Sequence, residues 1–172
     1  MTGTSLRGGN PAGALRASVS RTRLARAGVV VVAALQAEVG IWGLVAPHSF
    51  YASFPGAGRH WVSVMGAYDQ HLLRDFAAME LGFAVLLVGA AIWFERRVML
   101  LAGAAFVAAT LPHFAYHLAT TDMLSTADNV ASLGAFVIEL ALVVGAMAIV
   151  VEARDPAADP TRTRPTPTQG ST

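Results

Sequence analysis

LLRDFAAMELGFAVLLVGAAIWFERRVMLLAGAAFVAATLPHFAYHLA, residues 72–119, holds two apolar blocks, 72–94 and 98–119, separated by three charged residues. Each block, as an α-helix rising 1.5 Å per residue, crosses the ~30 Å hydrocarbon core of a bilayer. A link as short as Glu95-Arg96-Arg97 makes the second helix fold back beside the first. The stretch therefore reads as an antiparallel transmembrane hairpin, with Trp93 at the boundary between lipid and water.

Two more blocks of the same kind flank the hairpin, at residues 27–46 (AGVVVVAALQAEVGIWGLVA) and 130–151 (VASLGAFVIELALVVGAMAIVV). The first competes with a cleaved signal peptide. Its apolar run is long for that role, and Pro47 stands where a cleavage site presents a small residue, so it reads as an uncleaved span. Gly40 and Gly43 allow a neighbouring backbone to come close, and Gly82 and Gly89 suggest the same in the second block. Trp42 and Pro47 mark the outer end of the first helix.

Composition agrees. The 172 residues are 55% hydrophobic and 13% charged, where a soluble domain carries about a quarter charged residues. The expected fold is an all-α membrane protein, a four-transmembrane-helix bundle over residues 27–151. Residues 1–26, basic and rich in Gly and Ser, and residues 152–172, rich in Pro and Thr, read as disordered tails. Every basic residue other than His is Arg, and with the wealth of Ala, Gly and Val this suits a GC-rich bacterial genome. Net charge of +1 gives no argument for nucleic acid, and the absence of Cys removes disulfides and thiolate ligands.

Ten of the twelve Arg fall in the two tails and the 95–97 turn, and only Arg59 and Arg74 fall on the opposite face. The positive-inside rule then places both termini in the cytoplasm of a bacterium, in its inner (plasma) membrane. The outer face carries the loop 47–71 and the link TTDMLSTADN, in which Ser125 can cap a short interfacial turn or Asp128 can cap the fourth helix.

Ionisable groups inside spans are costly and mark function or interhelical contact. Glu38 and Glu80 lie about 12 Å below the outer ends of their helices, Glu139 about 13 Å and His113 about 9 Å. Three helices thus bring a carboxylate, and the remaining one an imidazole, to nearly one level. Above that floor, His60, Asp69, His71, Asp75 and His117 form an expected mouth. His113 and His117 share a helical face, as do His71 and Asp75. Pro112 interrupts the backbone ladder beside His113. Phe50, Tyr51, Phe54, Trp61 and Tyr68 read as an aromatic lid in the headgroup region. Pro55, Gly56 and Gly58 make a turn and no phosphate loop, and Ser63, Ser125 and Ser132 lack any nucleophile motif.

The run FPGAGRHW at residues 54–61, with PHFAYH at residues 112–117, resembles a group of uncharacterised small four-helix integral membrane proteins of actinobacteria. The likeness covers roughly residues 35–150. It differs at Ala67 and Asp69, where that group carries Pro and Asn. It implies the fold and no activity. A coarser likeness to DoxX-like and EXPERA proteins rests on helix number and buried acids alone.

These residues leave several readings open. The acids and imidazoles can be polar glue inside a structural or accessory subunit of a larger membrane complex, as a homo- or hetero-oligomer. They can form an outward-facing polar pocket that binds a small molecule, lipid or ion, or relays protons. Glu80 and His113 can act as acid and base in a lipid-modifying enzyme. His71, Asp75, His113 and His117 can hold a metal or haem, although no cofactor is expected from the sequence.

Overall fold

The structure, a computed structural model, describes residues 11–153. Five helices follow one another: α1 (Pro11–Val45), α2 (Pro47–Ser53), α3 (Gln70–Trp93), α4 (Arg96–Ala119) and α5 (Thr126–Glu152). The four long ones are each long and apolar enough to cross a membrane. The fold is an all-α four-helix membrane bundle, with α2 lying in the loop after the first span.

The helix boundaries have local causes. α1 begins at Pro11, so residues 11–26, expected as a disordered tail, are helical. Pro suits the first turn of a helix, and residues 14–27 are rich in Arg, Ala and Leu, good helix formers, with no Gly or Pro among them. The rest of the two expected disordered tails, residues 1–10 and 154–172, lies outside the described residues. Asp69 caps α3, its side chain accepting from the Leu72 amide at 3.1 Å. Phe94, in the left-handed region at φ 49°, turns the chain from α3 into α4, which starts at Arg96 and runs unbroken through Pro112. The cap of α5 is Ser125, and Asp128, expected to cap that helix, lies within its first turn instead. The Ser125 hydroxyl accepts from the Asp128 amide at 3.2 Å and donates to the Asp128 carboxylate at 2.7 Å.

The long helices form a ring in which α1 packs on α3 and α5, and α4 packs on the same two. The tightest seam is α1 against α3. A Cβ at Gly40 would lie 2.7 Å from the Leu81 backbone nitrogen, and one at Gly43 would lie 2.6 Å from the Ala77 Cβ. Small residues bring these backbones together as expected for helices in lipid. Gly82 and Gly89 do not share in this. A Cβ at Gly82 would meet nothing within 4 Å, and at Gly89 only Trp93 of the same helix. The seam passes through Ala77 and Leu81 and leaves Gly82 about 100° further round α3. On the far side of the ring, Gly103 of α4 abuts Met147 of α5.

Packing differs between the two halves of the bundle. At the end where α1 begins and α5 finishes, Val29, Val32, Leu87, Met99, Phe106 and Val143 are fully buried in one cluster. Arg21 of α1 pairs with Glu152 of α5 at 2.9 Å, and Arg26 lies 5.1 Å over the Phe94 ring, so this end is also cross-tied. Large side chains such as Val30, Val85, Leu101 and Val137 point outward instead, onto the surface that lipid covers.

Candidate functional site

Toward the loop end the helices stop filling the ring. The inward positions become small or polar: Gln36 on α1, Ala109 and Thr110 on α4, Ser132 and Ala135 on α5. The result is a cavity of about 810 Å³ lined by all four long helices and covered by the segment after α1.

Its floor carries polar groups. The Gln36 side-chain amide donates to the Glu139 carboxylate at 3.0 Å, joining α1 to α5. Glu80 of α3 lines the same hollow as Glu139. Glu80 is only 9% exposed and lines the cavity, yet among the described residues it has no hydrogen-bond partner. On α4, the Nε2 atoms of His113 and His117 face each other at 3.1 Å. One must donate and the other accept, so the pair carries at most one positive charge. Phe136 of α5 packs against both rings, at 5.0 and 5.3 Å between centroids, and Phe76 of α3 meets His113 edge-on at 5.7 Å.

The roof is the loop. Trp42, Phe50, Phe54 and Trp61 form a continuous aromatic chain, with Phe50 buried beneath it. The Tyr51 hydroxyl donates to the Gly66 carbonyl at 2.7 Å and holds the loop closed on itself. Trp61 donates its indole N–H to Asp128 at 2.8 Å, and Arg59 pairs with the same carboxylate. The loop is thereby pinned to the start of α5, directly over the cavity.

The residues expected at the site are distributed as follows. Glu80, His113, His117 and Glu139 line the cavity together, and Asp69 joins them at its rim. Glu38 also lines it but is exposed, and the buried position one turn before Gly40 belongs to Gln36. His60 lies outside. Its Nδ1 meets the Ala52 carbonyl at 2.6 Å, beside a second hollow between the loop and Ser125 to Asp128. His71 and Asp75 pair with each other at 3.1 Å and remain 88% and 67% exposed. Neither lines the cavity. The expected metal set of His71, Asp75, His113 and His117 is therefore not brought together. No group of three or more His, Asp or Glu suited to a metal ion occurs among the described residues.

Gln36 and the walls of Phe76, Phe83, Tyr116 and Phe136 were not foreseen as site residues. A signal for Gln36 was present. Continued backward, the Gly40 and Gly43 face runs through Gln36, Val32 and Val29 at helical spacing, and leaves Glu38 off it.

Set against protein-family models, curated proteins and solved structures, the chain finds no match. Its function has to be argued from the site itself.

Proposed function

We propose that the chain is a multi-pass protein of the bacterial inner membrane, with both termini in the cytoplasm. In this reading it binds a small, largely apolar molecule with a hydrogen-bonding group in a cavity toward the outer face. The supporting observation is the coincidence of the hollow with the acids. The bundle has a closely packed apolar core at the end where α1 begins and α5 finishes, and the buried Glu80 and half-buried Glu139 lie at the floor of the hollow at the other end. A volume of about 810 Å³ is within the range of ligand pockets, roughly 300–1,000 Å³. A mostly apolar wall with a few convergent polar groups is also their usual form. Glu80, Glu139 and His113 can each give or take a proton, so occupancy and proton transfer would meet at one place. The orientation rests on charge. Arg16, Arg21, Arg23, Arg26, Arg96 and Arg97 stand at the packed end, against Arg59 and Arg74 at the hollow end.

The test is photolabelling of the protein in lipid nanodiscs with an alkyl-diazirine amphiphile, mapped by mass spectrometry. Labels are expected on the cavity faces of α3, α4 and α5 and on the loop. Ala109→Trp, which puts an indole into the cavity, is expected to remove them. Even labelling of the lipid-facing residues, unchanged by that substitution, overturns the reading. Reporter fusions at Arg59 and Ser125 test the orientation, and a cytoplasmic signal at either refutes it.

A further inference from the structure

The charge inventory of the cavity is one-sided. Carboxylates reach it from four separate segments: Glu38 on α1, Asp69 before α3, Glu80 on α3 and Glu139 on α5. Among the described residues, no Arg lines it. Arg59 is held by Asp128 beside the loop, and Arg74 is exposed and outside the lining. The facing His113 and His117 supply at most one positive charge between them. Glu80 sharpens the imbalance. It is nine-tenths buried and turned into the hollow, and no donor among the described residues answers it. No buried side-chain oxygen or nitrogen among the described residues lacks a hydrogen-bond partner, so the unbonded Glu80 oxygens are open to the hollow, where an occupant can reach them.

The walls have the complementary character. Phe76, Phe83, Tyr116 and Phe136 come from the helices, and Phe54 and Trp61 from the roof. An aromatic face attracts a cation within about 6 Å of its centre, most strongly when water is excluded. An anion would face four acids against at most one positive charge, and a neutral apolar molecule would leave Glu80 without a partner.

Building on the reading of this hollow as a ligand cavity, we propose that its occupant is a lipophilic organic cation. An amine, quaternary ammonium or phosphonium centre would sit by Glu80 and Glu139, with its apolar groups against the aromatic walls. The cavity volume of about 810 Å³ leaves room for a drug-sized body around the charge.

The test uses two ions of the same shape and opposite charge, tetraphenylphosphonium and tetraphenylborate. Their binding to the full chain in nanodiscs is measured by equilibrium dialysis, with empty nanodiscs as the baseline. The cation is expected to bind saturably and at least about ten-fold more tightly than the anion. That factor corresponds to ~1.4 kcal/mol, a modest demand on charge contacts. Glu80→Gln keeps the side-chain shape and is expected to weaken the cation about ten-fold while leaving the anion unchanged or improved. The comparison of the two ions on the unaltered chain stands even if the variant fails to fold. Equal binding of both ions, or preference for the anion, overturns the proposal. So does the absence of saturable cation binding. If amphiphile photolabelling still falls in the cavity in those cases, the cavity reading survives and only its cationic occupant is lost. If that labelling fails as well, both are lost.

Discussion

Replacing Gly40 by Ala is the most direct probe of how this bundle holds its site. A Cβ there would stand 2.7 Å from the Leu81 backbone nitrogen and 2.9 Å from the Ala77 carbonyl oxygen. Both neighbours are backbone atoms of α3, so no rotamer change relieves the contact and the two helices must separate. Overpacking of this kind costs typically 1–3 kcal/mol, and rigid neighbours place the cost toward the upper end, about 3 kcal/mol. Against that, Ala is favoured over Gly inside a helix by about 1 kcal/mol. The net expectation is a loss of about 2 kcal/mol. Gly82→Ala is the matched control, since its Cβ would meet nothing within 4 Å. There only the propensity remains, and the protein should gain up to about 1 kcal/mol. Both variants can be read by reversible denaturant unfolding in mixed micelles. The first also has a local consequence. Gln36 lies one turn before Gly40, so pushing α1 off α3 should disturb the 3.0 Å bond from Gln36 to Glu139. Equal stability of the two variants, or a Gly40→Ala protein as stable as the parent, would refute the α1–α3 seam as described.

Other expectations follow from single contacts. Gln36→Leu removes the donor to a half-buried Glu139 and should lower stability by about 1–3 kcal/mol in the same unfolding assay. An unchanged midpoint would mean that bond contributes nothing. Ser125→Ala removes the cap of α5 and should cost about 1 kcal/mol, with faster amide exchange in its first turn and none elsewhere. Asp128→Asn weakens the anchor for Arg59 and Trp61, and exchange or limited proteolysis should then rise across residues 54–66. The parent loop should show the same rise at high salt if the ion pair contributes to its closure. His71→Ala, by contrast, should leave cavity labelling by the amphiphile unchanged, because its side chain is exposed and does not line the cavity.

The four spans and the very short connection between the second and third could be read from the order of residues. Length and apolarity are summed along one segment, and lipid rewards them whatever the neighbours are. Rotation about each helix axis was harder to read. His71 and Asp75 lie on the same segment as Glu80 and looked like its upper continuation, but they are exposed and do not line the cavity. Glu38 and Gln36 are two residues apart on α1, and only Gln36 is buried. A carboxylate draws the eye to Glu38. The close-packing glycines, which set the rotation of α1, point to Gln36 instead.

The start of α1 was misread for a related reason. Its Gly- and Ser-rich beginning suggested disorder, although residues 14–27 contain no Gly or Pro to break a helix, and Arg21 finds Glu152 at the end of α5. That contact joins residues far apart in the chain, and local composition carries no trace of it.

The sequence by itself determined that this is an all-α membrane protein of four spans, and on which face its basic residues gather. Those properties depend on each segment's exchange with water and lipid. Only the tertiary structure decided that the bundle is solid at one end and hollow at the other, that Glu80, Glu139 and the His113–His117 pair share that hollow, and that Asp128 pins the loop above it. Those facts turn on which faces meet. The meeting of faces is set by close contacts between helices, such as Gly40 on Leu81 and Gly103 on Met147, whose partners lie dozens of residues away in the chain.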